Sequence, residues 1–458
     1  MVPVRPGQEL DLAIEALVGG GEALARLDGF PVFVPGGVPG DRLRARVVST
    51  KPGYARAIVQ AILVPSPART TPPCPDFQAC GGCQWQDLSY PAQLDWKRRI
   101  VIEALERLGG LQAAECVSGT LGMDTPWHYR NKVHWAIAPG RRGPVIGLYE
   151  PRSHRVVPVR DCQIQLAIHG QVLNFLRETL PALPLPTYDE RSGRGWLRSA
   201  FARVGEHTGE LMVGLVTTDD RFPGRDAWIA AARERLPGLT SLVQNLQPRP
   251  GNLLMGPDTR VLWGASTIRE RLGPLTLDVS ARSFFQVNSR QVEALYDEAL
   301  RHLDLSPGAH LVDAFCGTGT IGLYAAARSG ARVTGIEVVP EAVRDAEANA
   351  RRHDIRTARF IEGRVEDVLP RMLESGDRPD ALILDPPRKG CEPDALEAIA
   401  RWGPDRLVYV SCNPATLARD LKRLAASGYA LTAARPVDMF PQSSHIEVVA
   451  RLDRKSPE

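Results

Sequence analysis

With 458 residues, 43% of them hydrophobic and 24% charged, the chain has ample apolar material for two or three packed domains and no need of disulfide staples. No apolar run approaches the roughly 18–20 residues of a membrane span, and the opening residues lack a basic leader followed by an apolar stretch, so a cytoplasmic protein without a membrane partner is expected. A net charge of only +3 says little about nucleic acid; the distribution of charge says more.

Residues 1–65 read as short strands separated by Gly/Pro turns. Arg42-Leu43-Arg44-Ala45-Arg46-Val47 shows the period-two alternation of a half-buried strand. Five such strands in so short a span predict a small OB-like barrel, a shape that often binds oligonucleotides. The Pro-, Ser- and Thr-rich residues 65–74 read as a linker.

Of the eight cysteines, Cys74, Cys80 and Cys83 cluster, while Cys116, Cys162, Cys316, Cys391 and Cys412 are scattered. In a reducing compartment such a cluster points to metal or iron–sulfur binding rather than to disulfides. Residues 90–110 then show helical periodicity and end in a Gly pair suited to a C-cap. Between His128 and Arg160 lie Arg130, Lys132, Arg141, Arg142, Arg152, Arg155 and Arg160, against the single acid Glu150. Tyr129, His134 and Trp135 are interleaved. Such a tract suits phosphate contacts and base stacking, with Tyr129 a candidate stacking platform; a solvated basic sheet face is the equal alternative. From about 120 to 275 the pattern is mixed α and β and fixes no topology.

From about 280 onward the pattern becomes regular. Strands at 310–315, 331–339, 358–363, 381–387 and 406–412 alternate with helical stretches, and two further strands at 430–440 and 445–454 close the chain. This alternation predicts a parallel, doubly wound sheet of the Rossmann-like class, ending in a two-strand segment as in class I methyltransferases.

Asp313-Ala314-Phe315-Cys316-Gly317-Thr318-Gly319-Thr320-Ile321-Gly322 puts glycines between a strand and a helix, where the backbone can pass close to a ligand at Gly317 and Thr320. Glu337 ends the next strand, placed to accept hydrogen bonds from ribose hydroxyls. That spacing alone also fits a nicotinamide-dependent dehydrogenase. Asp385-Pro386-Pro387-Arg388 and Ser411-Cys412-Asn413-Pro414, each at the carboxyl end of a parallel strand, have no use in a dehydrogenase. Methyltransferases that act on amino nitrogen follow Asp-Pro-Pro with an aromatic residue to stack the base; here Arg388 follows. Methyl transfer to carbon 5 of uracil needs a thiolate to add at carbon 6 and a base to remove the carbon 5 proton. Cys412 and Glu447 are the candidates for these two roles. In 5-methylcytidine enzymes the nucleophile sits beside the Asp-Pro element, which would make it Cys391.

These motifs, with the cysteine cluster, Tyr129-Arg130-Asn131-Lys132 and Phe284-Phe285-Gln286-Val287-Asn288, make nearly the whole chain resemble the uracil-5 RNA methyltransferase family, in particular its iron–sulfur members with an N-terminal TRAM barrel. The resemblance implies that Gln286, Phe315, Glu337 and Asp385 contact S-adenosylmethionine, that Cys412 attacks the base and that Glu447 takes the proton. It makes Cys74, Cys80, Cys83 and Cys162 the ligands of a closed [4Fe–4S] cluster; four thiolates also suit structural zinc. It further implies a TRAM barrel at 1–65, an iron–sulfur and central RNA-binding unit at 66–279 and a catalytic domain at 280–458. The expected substrate is 23S ribosomal RNA, with the T-loop of tRNA as the alternative, and the expected state is a monomer. An RNA-binding protein with a decayed methyltransferase domain is the reading from another class; the intact Asp385, Cys412 and Glu447 speak against it.

Overall fold

The computed structural model describes residues 2–141, 143–183, 185–251 and 253–455. Strands Glu9–Leu17, Ala23–Leu27, Phe30–Val34, Arg42–Lys51 and Tyr54–Val64 close into a barrel, as their alternation predicts. Leu10, Leu12, Ile14, Leu43, Ala45 and Val47 point into it, while Arg42, Arg44 and Arg46 point out. Asp41, fully buried at the turn before the fourth strand, accepts from the N–H groups of Val38 (2.7 Å) and Ser66 (2.8 Å) and from the Arg69 guanidinium (2.5 Å). Arg69 also donates to Asp87 (3.1 Å), so one guanidinium clamps the linker onto the barrel.

The Tyr90–Arg107 helix starts with Pro91 in its first turn, where a missing N–H costs nothing. It ends as its Gly pair predicts: Gly110 takes φ +67°, and the Leu111 N–H donates back to the Leu105 carbonyl (3.1 Å). The helix packs on the Pro414–Ala426 helix. The chain then runs beside the Tyr429–Val437 strand. Ser118 donates to the Ala434 carbonyl (2.9 Å), Ala434 to the Cys116 carbonyl (2.8 Å) and Leu121 to the Pro436 carbonyl (2.9 Å).

The central sheet orders its strands Asp258–Gly264, Leu239–Leu246, Leu211–Thr217, Leu197–Val204, Lys132–Ala138, Val145–Tyr149 and Val156–Val157. Only the pair Leu211–Thr217 and Leu239–Leu246 is parallel, joined through the Arg225–Arg235 helix. That helix and Ala167–Thr179 cover one face over Trp135, Phe175, Trp196 and Trp228. On the other face Phe201, Met212 and Val243 join the core of the following domain. Tyr129 and Trp135 of the basic tract are therefore structural. Tyr129 and Trp135 are 1% and 0% exposed, so Tyr129, whose hydroxyl donates to the Pro441 carbonyl (3.0 Å), is not the stacking platform expected from sequence. Arg152 reaches Glu22 of the barrel (2.6 Å) and Arg155 pairs with Glu150; Arg142 lies outside the described residues.

The last sheet orders Ala358–Glu362, Arg332–Glu337, His310–Ala314, Ala381–Leu384, Arg406–Ser411, Glu447–Arg454 and Tyr429–Val437. Its first five strands are parallel and Glu447–Arg454 inserts antiparallel, which is the class I methyltransferase arrangement expected. One continuous apolar cluster runs from the barrel through Trp85, Leu88 and Val101 to Leu382, Leu417 and Val448. Among the described residues no helix is long and apolar enough to cross a membrane.

Burial pushes the Asp41 carboxyl up, but the Arg69 guanidinium and the two backbone donors outweigh it and hold the group below the usual carboxylate range. A depressed folded value stabilises the protein above the unfolded carboxylate range, and the gain is lost as pH falls through the folded value. Asp41→Ala leaves Arg69 half-buried without this partner and is expected to cost about 3 kcal/mol in urea denaturation at neutral pH. The gap between wild type and variant should narrow as pH falls through and below the ordinary carboxylate range.

Candidate active site

The carboxyl ends of the parallel strands open onto a crevice of about 1190 Å³, lined by Gln286, Phe315, Gly317, Thr320, Glu337, Asp385, Cys412 and Glu447. Every cofactor and catalytic candidate named from sequence thus faces one space. Ligands of open parallel sheets bind at this end because the strand order reverses there, between His310–Ala314 and Ala381–Leu384.

At one end the backbone is shaped for a close approach. Phe315 takes φ +67° and Gly317 φ +54°, which turns the chain sharply between strand and helix. The Glu337 carboxylate is fixed by the Gly317 N–H (3.0 Å) and the Val339 N–H (2.8 Å), one to each oxygen, leaving further lone pairs for a diol. Fully buried Asp313 accepts from the Gly322 N–H (2.8 Å) and so pins the start of the Thr320–Ser329 helix. Burial, with the charges of Asp385 and Glu337, pushes its carboxyl up to about 8. The Tyr296 and Thr320 hydroxyls lie 3.1 Å apart beside it. Asn131 joins the two central motifs: its side-chain amide donates to the Gln286 carbonyl (2.9 Å) and to Ser289 (2.8 Å), and its N–H donates to the Val287 carbonyl (2.8 Å). Gln286 is positioned by a residue 155 places earlier.

At the other end, Cys412 sits between the Arg406–Ser411 strand and the Pro414–Ala426 helix. Asn413 caps that helix through the Ala415 N–H (3.1 Å) and donates to the Arg388 carbonyl (3.3 Å), so the Ser-Cys-Asn-Pro and Asp-Pro-Pro-Arg motifs lock together. Burial pushes the Cys412 thiol up to about 11, with Glu447 and Asp385 adding to it and the Arg388 charge opposing. Burial and then the Asp385 charge hold Glu447 well above the usual carboxylate range, and burial pushes Asp385 up to about 7. Sequence reasoning missed Phe284, 73% exposed at the rim, and Phe440 and His445, whose rings lie 5.5 Å apart in the lining. The signal for His445 was present: period two places it on the same side as Glu447. Cys391 is not in this lining. Its buried thiol lies 3.7 Å from the Tyr409 hydroxyl and borders a separate small cavity, which removes the structural basis for a nucleophile beside Asp-Pro.

Cys74, Cys80, Cys83 and Cys162 line a second cavity, of about 660 Å³. Burial pushes Cys83 up to about 12 and Cys162 to about 11, and neighbouring thiols of the set add to both. Burial thus favours the neutral thiols, and they would ionise together only if a positive charge were brought among them. Among the described residues, however, no group of three or more His, Cys, Asp or Glu side chains is placed so as to hold a metal ion.

With its thiol raised by burial, Cys412 in the cofactor-free protein should react as a thiol at neutral pH. Peptide-resolved alkylation by iodoacetamide should speed up by about tenfold per pH unit from 7 to 10 without levelling near 8.5. A plateau near the ordinary thiol value would contradict the geometry.

The methyltransferase domain family matches residues 305–452 and the TRAM domain family residues 3–59. An RNA methyltransferase of Halalkalibacterium halodurans is 42% identical over 99% of this chain and 99% of its own length. One from Enterococcus faecalis is 39% identical with the same coverage. Among solved structures, the tRNA (uracil-54, C5)-methyltransferase of Pyrococcus abyssi in complex with S-adenosyl-L-homocysteine superposes with a TM-score of 0.76, at 27% identity, over 97% of this chain and 100% of that one. The chain accordingly belongs to the S-adenosylmethionine-dependent RNA methyltransferase family that joins a TRAM barrel to a class I methyltransferase domain.

Proposed function

We propose that this protein methylates carbon 5 of a uridine in RNA through a covalent intermediate on Cys412. The observation that carries the reading is that a thiol and a buried carboxyl, Cys412 and Glu447, share the acceptor end of the cofactor crevice. S-adenosylmethionine, when bound, supplies the methyl group and a positive charge that favours the ionised forms of both residues. Cys412 loses its proton to solvent and adds as thiolate to carbon 6 of the base, and the resulting enolate makes carbon 5 nucleophilic. Once carbon 5 carries the methyl group, Glu447 takes its proton, the sulfur–carbon 6 bond breaks, and Cys412 leaves as thiolate. Burial makes the Glu447 carboxylate a stronger base than an exposed one, which suits removal of a proton from carbon. Gln286, Phe315, Gly317, Thr320, Glu337 and Asp385 are assigned to the cofactor.

The division of labour follows the chain: a barrel at 1–65 and a central unit at 66–279 that grip RNA, the latter through Arg130 and Lys132, and chemistry at 280–458. The protein acts as a cytoplasmic monomer. The substrate is 23S ribosomal RNA, on the strength of the resemblance to iron–sulfur members with a TRAM barrel. The Pyrococcus abyssi enzyme, matched over its whole length, favours a second reading in which the substrate is tRNA.

RNA carrying 5-fluorouridine tests the chemistry, because fluorine at carbon 5 blocks the proton removal and traps the adduct. Wild type is expected to form a covalent complex with the peptide containing Cys412, and Cys412→Ala to form none while binding S-adenosylmethionine as before. Turnover by Cys412→Ala would overturn the mechanism. Mapping 5-methyluridine in ribosomal RNA and tRNA of a deletion strain decides between the two substrates.

Cys74, Cys80, Cys83 and Cys162 are assigned to a [4Fe–4S] cluster that ties two segments of the chain together and plays no part in methyl transfer. The support is that all four thiols border one cavity. Protein purified without oxygen should be brown and contain about four iron atoms per chain, and replacing any one of the four should lower the iron content and the melting temperature. Colourless, active protein with one zinc per chain would overturn the cluster.

A further inference from the structure

The loop 438–446, between the Tyr429–Val437 and Glu447–Arg454 strands, leads directly into Glu447 and places Phe440 and His445 in the crevice lining. Connections between antiparallel strands are usually short and solvated. Most of this one is buried, and it is held from several remote parts of the chain. Lys97, on the Tyr90–Arg107 helix, donates to Asp438 (2.5 Å) and to the Phe440 carbonyl (3.1 Å), with both charged side chains 0% exposed. Asn288 donates to the Met439 carbonyl (3.0 Å), and Tyr129 to that of Pro441 (3.0 Å). The N–H groups of Gln84 and Trp85, next after Cys83, both donate to the Gln442 carbonyl (3.1 Å each). Gln93 accepts from the Gln442 N–H (3.0 Å) and donates to its side-chain oxygen (2.9 Å). Gly21 of the barrel lies so close to Ser444 that a Cβ there would stand 2.7 Å from the serine Cβ. Gln442 itself is held at φ +69°, a conformation that a non-glycine residue adopts at a cost.

A buried ion pair is poor value as a stabiliser, since apolar residues of the same volume do as well or better. A buried lysine that also bonds the carbonyl of a crevice residue is explained by placement. We infer that Lys97 and Gln93, with the backbone of Gln84 and Trp85, are positioning residues for the acceptor end of the crevice: they hold the 438–446 loop so that Phe440, His445 and Glu447 meet the target base, and they leave the cofactor end untouched. The inference rests on the uracil-5 reading of the crevice.

The test uses the full chain and three measurements: melting temperature, S-adenosylmethionine affinity by calorimetry, and the rate of adduct formation with 5-fluorouridine RNA. Lys97→Met strands the Asp438 charge and should lower both stability and adduct rate. Lys97→Met combined with Asp438→Leu leaves no buried charge, so the melting temperature should return while the Phe440 carbonyl still lacks its donor. In that double variant the adduct rate should remain down by up to about 100-fold, with cofactor affinity within about twofold of wild type. Gln442→Gly accepts the left-handed backbone while losing the side chain that Gln93 grips, and should show the same split. A double variant that recovers adduct rate together with stability would overturn the inference and leave these residues a purely structural role. If wild type methylates RNA but forms no adduct, the uracil-5 reading falls; the same variants scored by methylation rate then decide the positioning claim separately.

Discussion

Asp385, Glu447 and Cys412 are gathered in one crevice, where the Asp385 charge raises both of the others and the Glu447 charge adds to Cys412. Burial shifts Cys412 and Glu447 towards their protonated forms. A sulfonium bound there would oppose this preference, as the Arg388 charge already does at Cys412. On the proposed mechanism, the positive charge brought by the cofactor would be what releases these protons. The burial that makes the resting groups inert also makes them effective once ionised, as Glu447 illustrates.

Keeping like-charged groups so close requires rigid supports, and the fold supplies them from both sides. Strand ends fix Asp385, Cys412 and Glu447 from below. From above, Asn131 ties the Tyr-Arg-Asn-Lys segment to the Gln286 backbone, so the central sheet sets one wall of the cofactor end. The continuous apolar cluster from barrel to catalytic sheet leaves little freedom between these parts. The Tyr90–Arg107 helix is the keel of this arrangement, packed on the catalytic domain and bonded to the loop in front of Glu447.

The barrel and the Rossmann-like sheet were legible because each repeats a simple period, two in the barrel strands and strand–helix alternation after 280. The candidate site was legible for a related reason: its residues sit at the ends of those strands, so finding Leu382 to Leu384 also located Asp385. The central sheet was not legible, because a single parallel pair, Leu211–Thr217 with Leu239–Leu246, interrupts antiparallel neighbours and no local period announces it. Tyr129 misled for a physical reason. Aromatics beside cations read as a stacking surface, but Tyr129, just ahead of the Lys132–Ala138 strand, is drawn into the core, where its hydroxyl meets the Pro441 carbonyl. The bonds around Gln442 had no sequence signal, since their partners, such as Gln93, stand 349 residues away.

The strip of chain from Cys116 to Leu121, hydrogen-bonded along the Tyr429–Val437 strand, has a bearing on the life of the protein before and after folding. That strand is the margin of a seven-stranded sheet, and a bare margin of unpaired N–H and C=O groups is an invitation to other chains. Here the molecule occupies it with its own backbone, drawn from a segment made some 300 residues earlier. Because the covering segment precedes the strand in the chain, the edge is closed by the molecule's own backbone and offers less to a second copy.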